Sequence, residues 1–151
     1  IGRDANVLKH IDLLIGIAPV INLEWIQKLH RDIEVRGHSV EHTKNVILAR
    51  MGDYFKYICP QFSKTDINIQ RIPLTDTSNP FDVSEVPKIS KSLAIIELKN
   101  ETKFSCDLVK ISKEIKSSFM SSSNTLVVPG LALDTAIKKI FTPIIKTLET
   151  H

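Results

Sequence analysis

The run Leu13–Val20 (LLIGIAPV) constrains the fold of this chain more than any other stretch. It is nearly continuous apolar sequence, too short to cross a membrane and too unbroken for a half-solvated strand. It therefore predicts a strand buried on both sides of a sheet. The pattern then changes period. Pro19–Gly37 (PVINLEWIQKLHRDIEVRG) places Leu23, Ile26, Leu29 and Ile33 at helical spacing. Asn22 is expected to cap this helix, with Glu24 in its first turn against the dipole. Arg36-Gly37-His38 should end it near Val35. A buried strand running into an amphipathic helix puts the chain in the α/β class.

The same helix carries the strongest chemical signal. Lys28, Arg31, Asp32 and Arg36 stand at i, i+3, i+4 and i+8, within an arc of about 140° at 100° per residue. Three cations around one carboxylate suit the handling of phosphate. Arginine forks grip phosphate oxygens, lysine neutralises developing charge, and a carboxylate can hold Mg²⁺. The plainer reading is a solvated face with a Lys28–Asp32 pair worth a few tenths of a kcal/mol, roughly the usual i,i+4 value. Spacing alone leaves both open. Position favours the first, because open α/β sheets bind ligands beyond the carboxyl ends of their strands.

Bulk properties narrow the rest. The 151 residues, 42% hydrophobic and 25% charged, suit a single soluble unit spanning residues 1–151. A net charge of +3, with no basic run interleaved with aromatics, argues against nucleic acid. No apolar stretch approaches the roughly 18 residues of a membrane span. Asp4, Lys9, His10 and Asp12 interrupt any secretory signal. Cys59 and Cys106 lack metal spacing and read as thiols of a reducing, cytoplasmic protein, and the five histidines show no zinc pattern. The start at Ile1, already running into a strand, suggests a piece of something larger.

Further along, Ser39 should cap a second helix carrying Ile47, Met51, Tyr54, Phe55 and Ile58 and ending at Pro60. Thr65–Leu74 alternates and predicts a strand more exposed than the first. Asp76–Pro80 has turn chemistry. Leu93–Leu98 and Lys103–Cys106, joined by Lys99–Thr102, read as a hairpin. A helix is expected over Asp107–Ser118 and a short strand over Thr125–Val128. A final helix from Leu131 to Leu148 carries an unbroken apolar stripe, with Pro143 inside it.

His30-Arg31-Asp32 matches the HRD of protein-kinase catalytic loops by chance: the asparagine needed five residues later is Gly37. No GxxxxGK[ST] phosphate loop occurs in the 151 residues. In order, VINLEWIQKLHRD, CPQFSKTDINIQRIPLTDTSNPF and MSSSNTLVVPG resemble the bacterial-type (class I) phosphoribulokinases. The resemblance runs from about Leu13 to the final helix. It implies the C-terminal half of a catalytic domain similar to nucleotide monophosphate kinases: a mixed sheet flanked by helices, here with a hairpin extension. The phosphate loop, the family's aspartate base and a glutamate-bearing segment would lie outside this chain.

The resemblance further implies ATP-dependent phosphorylation of ribulose 5-phosphate to ribulose 1,5-bisphosphate in the Calvin cycle. The enzyme would be a cytoplasmic homo-oligomer using Mg²⁺ and ATP. By position, Asp32 matches the second catalytic carboxylate, a Mg²⁺ or transition-state contact. Lys28 and Arg31 match cations over the transferring phosphoryl group, and Arg36 matches an arginine of sugar-phosphate binding. Arg50 matches one of two neighbouring arginines tied to regulatory nucleotides. Its neighbour is replaced by Ala49, and Ser122 stands where MSRxN would have arginine, so regulation by NADH or AMP should be weak. Two other readings remain: a uridine-kinase-like nucleoside kinase, and a non-catalytic interaction or regulatory remnant. Arg36 weighs against the nucleoside, which has no phosphate for it to hold.

Overall fold

The computed structural model describes residues 7–82, 84–99, 104 and 106–149. Strand β1 (Ile15–Pro19) leads into helix α1 (Ile21–His30), which widens into a π-helical turn over Arg31–Val35. Helix α2 (Val40–Ala49) follows. It continues through short α3 (Met51–Asp53), a second π-helical turn over Tyr54–Ile58, and α4 (Cys59–Phe62). This helical crossover returns the chain to β2 (Ile67–Pro73), parallel to β1, as a parallel pair requires. The remainder is antiparallel: β3 (Ser92–Leu98), α5 (Leu108–Glu114), β4 (Phe119–Ser122), β5 (Thr125–Pro129) and α6 (Leu133–Leu148). The sheet order is β1-β2-β3-β5-β4. The α/β class and the mixed sheet flanked by helices are as expected.

One sheet face holds the core. Ile67 and Ile69, Ala94, Ile96 and Leu98, and Leu126 and Val128 alternate inward from three strands against α5 and α6. From α6, Ala136, Ile140 and Ile144 are buried, which is the stripe the sequence shows. Pro143 is accommodated inside the helix, and its carbonyl accepts a hydrogen bond from the Thr147 hydroxyl at 3.0 Å. Gly130, where β5 turns toward α6, fits only without a side chain. A Cβ there would stand 2.2 Å from the Ile89 carbonyl oxygen and 2.5 Å from Ser92 Oγ. Gly130→Ala is accordingly expected to cost about 1–3 kcal/mol, the usual range for overpacking. Urea unfolding checks this, and an unchanged midpoint would show that the Ile89–Ser92 segment yields.

The structure corrects several expectations. Among the described residues the relative burial of the first two strands is reversed: β2 pairs on both sides, with Ile67 and Ile69 buried, whereas β1 pairs with β2 alone and its Ile17 is 70% exposed. An apolar run signals burial only where the strand has neighbours on both sides. Asn22 does not cap α1. The capping position is Val20, and Asn22 Nδ2 instead donates to the Thr77 carbonyl at 2.9 Å, tying the helix start to the Asp76–Pro80 turns. Ser39 does cap α2, accepting the His42 N–H at 3.1 Å.

Pro60 sits within α4 rather than ending the helix, since a helix's opening turn needs no proline N–H. No residue from Met51 to Phe62 is fully buried, so the stripe read there is largely exposed. Among the described residues the hairpin is β4–β5, and β3 pairs with β2 and β5; the Lys103–Cys106 arm expected to pair with Leu93–Leu98 falls, with its connection, largely on residues outside the described ones. Asn100–Lys103 and Ser105 lie outside the described residues. Strand β4, unforeseen in the sequence, occupies the stretch between the helix expected over Asp107–Ser118 and the strand expected over Thr125–Val128. Helix α5 stops at Glu114, and Ser117 adopts a positive φ of 64°.

Candidate active site

The final turns of α1 build the site. Leu23, Ile26 and Leu29 are buried and anchor the helix. Beyond them the backbone widens into the π-helical turn, a form that occurs often at functional sites. The turn closes at Gly37, whose φ of +69° suits a residue without a side chain. Gly37 N–H donates to the Ile33 carbonyl at 3.1 Å and His38 N–H to that of Asp32 at 2.9 Å. Asp32 is thereby fixed through its own main chain. It is also buried, only 4% exposed, which sets aside the plainer reading of a solvated helix face at this position.

Three cations converge on that one carboxylate. Lys28 Nζ donates to Asp32 Oδ2, Arg36 Nη1 donates to Oδ1 at 2.9 Å, and Arg31 Nε reaches Oδ1 at 3.3 Å. The two arginine side chains remain about half exposed (53% each). The Lys28 hydrogen bond is the main reason the Asp32 pKa falls from 3.8 to about 2. Burial opposes the shift, while the Arg31 hydrogen bond and the charges of Lys28 and Arg36 reinforce it. Asp32 is thus a fixed anion at neutral pH and a poor proton acceptor, since a general base needs a pKa near the working pH. With three cations and one anion the cluster keeps a surplus of positive charge, directed outward by the exposed guanidiniums. It can attract and orient an anionic group.

Because the folded-state pKa lies below the unfolded one, this carboxylate stabilises the fold above about pH 4, and the contribution disappears as pH falls through about 2. The expected loss is at most about 2 kcal/mol, solvent screening of the exposed arginines reducing it. Carbon-13 NMR of the side-chain carboxyl checks this: titration near the ordinary value of 3.8 would mean that the clamp is not formed in solution.

The fit to Mg²⁺, expected at Asp32, is poor. Both carboxylate oxygens are engaged by cations, and among the described residues no three His, Cys, Asp or Glu side chains form a metal-binding group. These residues do not make a metal site by themselves.

Lys28 and Arg31 line two neighbouring cavities. One, of about 670 Å³, is shared with Trp25, Arg50, Tyr54 and Tyr57. The other, about 350 Å³, is shared with Ile17, Pro19, Ile58 and Phe62. Arg50, expected to be regulatory, therefore faces the same space as Lys28 and Arg31, while Ser122 lies in β4 at the far edge of the sheet. Sequence reasoning missed Glu24 and Tyr54 as parts of this wall. The Tyr54 hydroxyl donates to Glu24 Oε2 at 3.5 Å, and burial, with the Glu24 charge, raises its pKa. They are thirty residues apart, so no local pattern joins them. Trp25 packs against Phe81 with ring centroids 5.6 Å apart, bracing α1 from the β2–β3 loop.

A mixed sheet with a cationic cluster on the helix leaving β1 defines an α/β protein whose surface there can attract an anion. The family model described as "Phosphoribulokinase / Uridine kinase family" matches residues 2–78, and the chain belongs to that family. It is 50% identical over 143 residues to the phosphoribulokinase of Rhizobium meliloti (strain 1021), covering 95% of this chain and 49% of that protein. For the phosphoribulokinase of Nitrobacter vulgaris the identity is 51%, with the same coverage. A solved structure of phosphoribulokinase from Rhodobacter spheroides superposes with a TM-score of 0.88 at 45% identity, covering 97% of this chain and 52% of that one. The chain spans about half the length of the curated relatives it matches. Among the described residues, no helix is long and apolar enough to cross a membrane.

Proposed function

We propose that this chain is the C-terminal half of a phosphoribulokinase, which transfers the γ-phosphoryl group of ATP to the 1-hydroxyl of ribulose 5-phosphate. The observation that carries the reading is the convergence of Lys28, Arg31 and Arg36 on the buried Asp32. In this transfer the hydroxyl oxygen bonds to the γ-phosphorus, the bond to the ADP oxygen breaks, and a base outside this chain takes the hydroxyl proton. Such catalysis is mainly positioning and charge stabilisation. Lys28 and Arg31 line the cavities and would neutralise charge on the transferring group. Arg36, on the other oxygen of Asp32 from Lys28, would grip the sugar phosphate. Asp32 would set the geometry of all three. Arg50 would act as an additional cation toward an anionic effector. We further propose a cytoplasmic, homo-oligomeric whole enzyme, with Mg²⁺ accompanying ATP and held by groups other than Asp32.

The similarity of about 50% to proteins named phosphoribulokinase favours a sugar-phosphate kinase over a uridine kinase within the family. The test is a coupled kinase assay with Mg-ATP and ribulose 5-phosphate on two proteins. One is this chain alone. The other is a hybrid in which it is joined, in native order, to the half of the Rhizobium meliloti enzyme that it does not match. The chain alone should bind ATP weakly and turn over nothing, because it contains no phosphate loop. The hybrid should form ribulose 1,5-bisphosphate. Turnover by the chain alone would contradict the reading.

A further inference from the structure

Helix α1 carries the cationic cluster yet has no capping side chain of its own, since Val20 stands at its capping position. Its start is tied down from outside, by the loop that joins β2 to β3. Asn22 Nδ2 donates to the Thr77 carbonyl at 2.9 Å, and one turn on Trp25 packs against Phe81. Lys28 follows a turn later, because residues three apart stand above one another on a helix. Trp25, Lys28 and Arg31 line the same cavity of about 670 Å³. Trp25 is thus shared between the loop and the wall of the site.

The loop is stiffened around one ring. Ser78 N–H donates to Asp76 Oδ1 at 2.8 Å, Phe81 N–H to Asn79 Oδ1 at 3.2 Å and Ser84 N–H to Asp82 Oδ1 at 2.9 Å. Asp82 N–H adds a bond to the Asn79 carbonyl at 3.2 Å. Side chains that close on their own backbone in this way fix a turn. Phe81 is the one aromatic residue between Leu74 and Lys91. Its ring centre lies 5.6 Å from that of Trp25 and 5.0 Å from Lys44 Nζ on α2. Both distances fall within the reach of ring–ring and cation–ring attraction. A single side chain of the loop therefore joins α1 to α2.

From these observations we propose that Phe81 is a positioning residue for the phosphoryl-transfer site. It acts through Trp25. By holding that side chain, and with it the middle of α1, against α2 and the loop, it sets where Lys28 and Arg31 stand in the cavity they line. Arg36 lies beyond the π-helical turn, which Gly37 closes through its own backbone bond, so its hold on the sugar phosphate does not depend on the ring. The proposal deepens the kinase reading and rests on it. Ordinary packing would ask only for apolar volume at Phe81, whereas contacts to a ring and to a cation ask for an aromatic face.

A group that acts in the transition state loses roughly a hundredfold in rate when it is misplaced by about 1 Å. In the hybrid, Phe81→Ala should accordingly lower kcat about ten- to a hundredfold, with KM for ribulose 5-phosphate held within about threefold. Phe81→Tyr, which keeps the ring, should restore kcat to within about twofold of the parent hybrid. Phe81→Leu, which keeps apolar volume without the ring, should recover only part of the loss.

The test is a double-mutant cycle in the hybrid with Lys28→Met, which keeps the stem and removes the charge. Because Phe81 acts through the placement of Lys28, Phe81→Ala should lower kcat far less in the Lys28→Met background than in the parent. Groups that act as a unit are not additive, whereas a purely structural loss would be. Thermal melts followed by circular dichroism set the assay temperature below the transition of every variant. Should Phe81→Ala fail to fold, Phe81→Leu takes its place in the cycle. An unchanged kcat, full recovery by Phe81→Leu, equal factors in both backgrounds, or an effect confined to KM overturns the proposal and leaves the kinase reading standing. A parent hybrid without turnover contradicts the kinase reading and takes this proposal with it.

Discussion

Asp32→Asn in the hybrid is expected to lower kcat about a thousandfold, the scale seen when one preorganised electrostatic group is lost from an active site. Asparagine matches aspartate in shape, so the packing around this buried position is kept. What disappears is the charge that holds Lys28, Arg31 and Arg36 together. Three cations without their shared anion repel one another, and the lysine and arginines move away from where the phosphoryl group must pass. The fold should survive, because the carboxylate contributes at most about 2 kcal/mol. Stopped-flow kinetics with circular dichroism on the same sample checks both parts. A kcat within a few-fold of the unsubstituted hybrid would mean that the cations are positioned by other groups.

The second large effect is expected at Arg36. Arg36→Ala should raise KM for ribulose 5-phosphate roughly ten- to a hundredfold, the scale of one lost charge-assisted hydrogen bond to phosphate. The KM for ATP should change little. An interaction with the non-reacting end of a substrate acts on binding rather than on the chemical step. Arg36 is half exposed, so its removal leaves no cavity, although Asp32 loses one partner. If kcat fell and KM held, Arg36 would belong with Lys28 and Arg31 at the reacting group.

Much of the α/β course was legible locally. The α1 stripe, the Ser39 cap, the Arg36–His38 break and the α6 stripe each rest on residues within a single helix or its ends. The site cluster was legible for the same reason, since Lys28, Arg31, Asp32 and Arg36 share one helix. What local pattern does not contain is the identity of neighbours. Leu13–Val20 has an interior strand's composition, and only the sheet order shows that among the described residues β1 pairs with β2 alone. Nothing near Leu93–Leu98 announces that β3 is flanked by β2 and β5, since β2 has ended at Pro73 and β5 begins only at Thr125. Burial of Asp32 was hidden as well, because a uniform 100° per residue does not anticipate the π-helical turn at Arg31–Val35. The Glu24–Tyr54 contact joins two elements that no motif connects.

The central claim, that the Asp32 cluster serves a sugar-phosphate kinase, is tested most directly by substrate discrimination. Initial rates of the hybrid with Mg-ATP can be measured for ribulose 5-phosphate and for uridine. The phosphate clamp at Arg36 predicts a kcat/KM for ribulose 5-phosphate at least about a hundredfold above that for uridine, since one well-placed charged contact is worth that order of discrimination. Equal rates, or a preference for uridine, would contradict it.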